Sequence, residues 1–84
     1  MKYGKRDANH AEIAATFRNC GWSVADTADL GGGFPDLVVG YQTVNYLIEV
    51  KDGSRPPSQR KLTAAETEFM RGWSGQYVVI CSFE

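Results

Sequence analysis

The sequence predicts an α/β domain: a mixed sheet of about four strands with helices packed on it, in the order α-β-β-β-α-β. Three observations predict it. Two short apolar runs, Leu37-Val38-Val39 and Tyr46-Leu47-Ile48, stand a few residues apart and read as buried neighbouring strands. Apolar residues recur at helical spacing on both sides of that pair, Ile13 and Phe17 before it and Leu62, Ala65, Phe69 and Trp73 after it. A last run, Gln76 to Phe83, follows the second helical pattern, so it should join the sheet by a crossover.

Taken in order, helix one covers Asp7 to Cys20 among alanines, with Gly21 as its stop. Trp22 to Ala28 is a modest strand, and Asp29 to Gly33 forces a loop. No Gly-Lys-Ser/Thr follows the three glycines, so they are not a P-loop. They let the chain turn tightly into Asp36 or approach a phosphate closely. Strands at Asp36 to Gly40 and Tyr46 to Lys51 follow. Pro56 and Pro57 then mark a turn, and Ser58 caps a second helix from Gln59 to about Arg71, ended by Gly72 or Gly75.

The 84 residues make one domain, small enough that a partner subunit would help its stability. No apolar run approaches the roughly 20 residues of a membrane helix, and the N-terminus lacks a signal-peptide apolar region, so a cytoplasmic protein is expected. Cys20 and Cys81 are far apart and His10 is the one histidine, which suggests neither a zinc site nor a disulfide. Both cysteines read as small buried residues. The net charge of −1 gives no global sign of nucleic-acid binding, so local charge has to decide.

The strongest signal is a set of charges on the apolar strands. If the two pair as a hairpin centred between Gln42 and Thr43, Asp36 faces Glu49, and directly opposed Cβ atoms lie about 5 Å apart. The strand period of two puts Glu49 and Lys51 on one face and turns Val50 to the other. Two adjacent carboxylates repel unless a proton or a cation intervenes, and oxygen ligands favour Mg²⁺ or Mn²⁺. Such an ion polarises a phosphate and acidifies bound water, while a lysine steadies developing charge. Lys51 pairing with Asp36 or Glu49, or all three groups standing solvated at strand ends, is the competing reading.

Pro35-Asp36 followed by Glu49-Val50-Lys51 resembles the PD-(D/E)xK nuclease motif. Gly-Gly-Phe-Pro-Asp-Leu-Val-Val, then Tyr-Leu-Ile-Glu-Val-Lys-Asp-Gly, then Ser-Gln-Arg-Lys-Leu is similar to the VRR-NUC branch of that superfamily. The resemblance spans most of the chain and implies a restriction-endonuclease-like core. It implies that Asp36, Glu49 and the Val50 carbonyl hold the metal and that Lys51 assists the water. A helix-one glutamate often completes the site in this family; Glu12 is the candidate, or else forms a capping box with Asn9. Gln59 matches the family glutamine and should sit beside the lysine, or serve as a plain first-turn residue.

Family members made of this domain alone resemble Holliday junction resolvases, homodimers that cut four-way junctions symmetrically, in a bacterial or phage-like setting. Tyr41, Tyr46, Met70, Trp73 and Phe83 are candidate interface residues, each equally suited to a core. Lys2, Lys5 and Arg6 form a basic arm, and Arg55, Arg60 and Lys61 flank the turn after the motif. Both groups could meet DNA phosphates, or be ordinary solvated charges. His10 could touch DNA but reads more as a surface residue, Asp26 as solvated, and Asp29 as a lesser metal candidate. A less selective nicking or flap nuclease, and a non-catalytic DNA-binding module, are the alternatives.

Overall fold

An alanine-rich stretch with Ile13 and Phe17 one helical turn apart builds α1 (His10–Asn19), whose inner face buries His10, Ile13, Ala14 and Phe17. A computed structural model of the chain describes residues 6 to 81. It continues with β1 (Ser23–Asp26), a 3-10 turn (Ala28–Leu30), β2 (Leu37–Tyr41), β3 (Val44–Val50), a second 3-10 turn (Pro57–Gln59), α2 (Ala64–Gly72) and β4 (Tyr77–Ile80). The sheet runs β1-β2-β3-β4, antiparallel in its first two pairings and parallel between β3 and β4. That last pairing needs the crossover supplied by α2. The chain is thus α/β, with a four-stranded mixed sheet and two helices in the expected order.

The central hairpin has the register read from the sequence. Leu37 opposes Ile48 and Tyr41 opposes Val44, so opposed numbers sum to 85. Gln42 and Thr43 turn the chain with φ of 50° and 68°, the left-handed pair that a two-residue hairpin requires. Alternation along the strands then places Leu37, Val39, Ile48 and Val50 on one face, where α1 covers them with Ile13, Ala14 and Phe17. The other face carries Val38, Leu47 and Glu49. There α2 buries no residue completely, and Phe69 meets Phe34 edge-on at 5.2 Å and stacks on Trp73 at 5.4 Å.

Several details depart from the expectations. The second helix starts at Ala64, five residues beyond Gln59, because Thr63 and Glu66 form a reciprocal capping box. Ser58 lies inside the 3-10 turn and caps nothing there. The first strand stops at Asp26: the Thr27 N–H still bonds the Asp36 carbonyl opposite it, and the chain then coils into the 3-10 turn at Ala28. The three glycines turn the chain tightly with positive φ, and at Gly33, φ +82°, a Cβ would strike the Ala65 carbonyl, so the loop before Asp36 lies directly on the start of α2. Cys20 is exposed at the end of α1 and Cys81 is half-buried. Lys2, Lys5 and Phe83 lie outside the described residues.

Candidate metal-binding active site

Asp36 sits one residue before β2, and one further step of the hairpin register sets it opposite Glu49. Its Oδ2 accepts the Val50 N–H at 2.8 Å, which fixes the carboxylate across the open end of the hairpin. Pro35, next in that register, has no N–H to give the Val50 carbonyl, so this oxygen gets no ladder bond from it. Glu49 is only 2 % exposed, and its Oε1 is buried with no hydrogen-bond partner among the described residues. Burial, then the charge and hydrogen bond of Asp36, then those of Glu66, push the Glu49 carboxyl up to about 10. Without a cation it therefore holds its proton to a higher pH than an ordinary carboxyl.

Lys51 extends from the strand end on the Glu49 face and is 8 % exposed. Its Nζ lies 2.7 Å from Glu66 Oε1 and 3.9 Å from Glu49 Oε2. Burial works to lower its pKa, but the Glu66 bond, the Glu49 charge and Asp7 hold the ammonium above its ordinary range. Burial likewise works to raise Glu66, and Lys51, the Thr63 amide and Glu49 outweigh it, so Glu66 stays ionised. The pairing differs from the simple cross-strand alternative, because the main partner comes from α2.

Other residues complete the picture. Asp7 faces the same charges: burial, Asp36, Asp52 and Glu66 raise its pKa while Lys51 opposes them. The Asn9 side-chain amide donates to the Lys51 carbonyl at 3.0 Å and also to the Cys81 carbonyl, tying the start of α1 to the ends of β3 and β4. Tyr77 on β4 has a buried hydroxyl without a partner among the described residues. Burial and repulsion from Glu49, Glu66 and Asp36 push it up to about 12, so it remains a phenol.

The remaining expected residues fall elsewhere. Glu12 is exposed on α1, and the Asn9–Glu12 capping box does not form, because Asn9 is turned toward β3. Gln59 is exposed in the 3-10 turn and accepts from Arg55 at 3.2 Å, so the place beside Lys51 belongs to Glu66. Arg6 pairs with Asp26 and Asp29, and buried His10 bonds Asp26 at 3.2 Å; this separate cluster fastens α1 to β1, which corrects the surface reading of His10. Arg55 leans on Asp52 at 3.6 Å, while Lys61 is exposed. The Arg60 Nε is buried without a partner among the described residues.

Sequence reading missed Glu66 and Asp7. Thr63-x-x-Glu66 has capping-box spacing, so a helix start there was readable, but the reach of Glu66 to Lys51 is tertiary. An open concavity of about 550 Å³ on the Val38 side of the sheet is lined by neutral residues such as Ala25, Gly40 and Asn45 and is separate from the carboxylates.

No group of three or more His, Cys, Asp or Glu residues is set to hold a metal ion among the described residues. A smaller donor set nevertheless suits a hard cation: the Asp36 and Glu49 carboxylates, with Glu49 Oε1 buried and without a partner among the described residues. The orphaned Glu49 oxygen and the mutual repulsion of the carboxyls are the conditions that a bound cation relieves. No helix among the described residues is long and apolar enough to cross a membrane. The chain matches no protein-family model, and no curated protein matches it.

Proposed function

We propose that the protein is a Mg²⁺- or Mn²⁺-dependent, structure-selective DNA endonuclease with a restriction-endonuclease-like core of the VRR-NUC type, acting in the cytoplasm as a homodimeric Holliday junction resolvase. The observation that carries this reading is the meeting of Asp36 and Glu49 at the end of the apolar hairpin, with Lys51 3.9 Å from Glu49. Asp36, Glu49 and the Val50 carbonyl would hold the ion. When bound, the ion activates water and offsets charge on the phosphate. Lys51 is kept as an ammonium and stabilises developing negative charge. Rigid strands keep these groups in place, and burial excludes competing water.

Arg55, Arg60 and Lys61, which follow Lys51 in the chain, would track the DNA backbone without reading bases. Two-fold symmetry of a dimer would present two sites to a two-fold junction. The test is a panel of labelled four-way junction, flap, linear duplex and single strand, each with Mg²⁺, Mn²⁺ or EDTA, run beside sedimentation of the protein. Paired symmetric nicks in the junction alone, from a dimer, support the resolvase. Equal cutting of all substrates by a monomer replaces it with an unselective nuclease, and ion-independent binding with no cleavage replaces it with a binding module.

A further inference from the structure

We infer that Glu66 is a positioning residue: from the first turn of α2 it holds the Lys51 ammonium beside Glu49, so that the start of this helix sets the spacing of the site. The inference deepens the nuclease reading and rests on it for its kinetic consequence, though not for its structural one.

Three contacts meet at that turn. Glu66 Oε1 accepts from Lys51 Nζ at 2.7 Å and from the Thr63 N–H at 2.8 Å, while the Glu66 N–H donates to Thr63 Oγ1 at 3.2 Å. One carboxylate oxygen therefore belongs both to the helix cap and to the lysine. A cap fixes its side chain with little rotamer freedom, so the lysine bonded to it inherits that order. The second is the approach of the held Lys51 Nζ to Glu49 Oε2 at 3.9 Å, which places the positioned group against the metal-binding pair. The third lies one residue away: Gly33 is seated against the Ala65 carbonyl, and Phe34 packs on Phe69 at 5.2 Å. The loop that delivers Asp36 and the strand end that delivers Lys51 thus rest on the same helical turn.

A lysine alone at the strand end would keep its flexible stem and sweep several positions. Held by Glu66 at 2.7 Å, its Nζ stays 3.9 Å from Glu49 Oε2. Displacing a charge-stabilising group by about 1 Å costs on the order of 100-fold in rate.

The experiment compares wild type with Glu66→Gln, Glu66→Ala and Thr63→Ala by two readouts. The first is the NMR order of the Lys51 ε-methylene in the metal-free protein, which needs no enzymatic activity. It should be rigid in wild type and Thr63→Ala, intermediate in Glu66→Gln and mobile in Glu66→Ala. A Lys51 as rigid in Glu66→Ala as in wild type overturns the inference. The second is the kinetics of junction cleavage with Mg²⁺. Glu66→Ala should lower kcat about 10- to 100-fold with KM within about two-fold, and Glu66→Gln should recover part of it. Thr63→Ala loses the hydroxyl cap alone and should keep kcat while its Tm falls. Equal kcat losses in Thr63→Ala and Glu66→Ala would mean that Glu66 acts only through helix stability, which overturns the positioning role. If wild type cleaves nothing, the nuclease reading fails by itself, and the Lys51 measurement still decides whether Glu66 holds it.

Discussion

The Asp36 carboxylate accepts the Val50 N–H at 2.8 Å, closing the open end of the hairpin where Pro35 has no N–H to give the Val50 carbonyl. One side chain therefore serves the fold and the site together. Asp36→Asn keeps an acceptor oxygen for that amide, whereas Asp36→Ala leaves a half-buried N–H unpaired at a cost of roughly 1–3 kcal/mol. Urea unfolding should rank wild type and Asp36→Asn close together, with Asp36→Ala clearly lower.

The Glu49 carboxyl makes metal-free stability depend on pH. Its folded pKa lies above its unfolded one, so the folded chain keeps a proton that the unfolded chain releases. That stabilisation is complete below the ordinary value of 4.5 and is lost as pH rises toward about 10. Asp26, Asp52 and Glu66 shift the opposite way, so their contributions fade only in acid and stay constant above neutrality. Tm measured in EDTA should therefore fall between about pH 6 and 9, and Glu49→Gln should flatten the fall. Saturating Mg²⁺ should restore stability at the upper end, because the ion replaces the proton.

The hairpin turn holds Thr43, a β-branched residue, at φ 68°. A side chain in that region costs about 1–2 kcal/mol. Thr43→Gly should therefore raise stability by about 1 kcal/mol without altering the register, because glycine adopts this conformation freely while losing more entropy on folding. Thermal unfolding compared with wild type checks it.

Gly33 is the opposite case. A Cβ at this residue meets the Ala65 carbonyl and occupies φ +82°, so Gly33→Ala should destabilise by at least about 2 kcal/mol. Gly31 has open space around the same atom and should tolerate alanine with the loss of the conformational term alone. A difference between the two variants in urea midpoint would locate the effect in the α2 contact.

The parts legible in the sequence were those governed by local periodicity. The two apolar runs and the position of the turn fixed the hairpin register, and with it the meeting of Asp36 and Glu49 and the turning away of Val50. Helix α1 followed from Ile13 and Phe17. What escaped depended on contacts between distant segments. Asn9 looked like a cap for Glu12, but the Lys51 and Cys81 carbonyls, brought near by the sheet, claimed its amide. His10 looked like a surface residue until Asp26 on β1 gave it a partner. Gln59 looked like a first-turn residue because Ser58 preceded it, yet two prolines held that stretch in a 3-10 turn and Thr63 supplied the better cap.

In the proposed function, Asp36 and Glu49 hold a divalent ion that supports DNA cleavage. The most direct measurement is cleavage of a labelled four-way junction by wild type and Asp36→Asn, at equal junction binding, with Mg²⁺ and with EDTA. Wild type should cut in Mg²⁺ only, and Asp36→Asn should lose at least about 100-fold with its fold retained. Full cutting by Asp36→Asn, or cutting by wild type in EDTA, would contradict it.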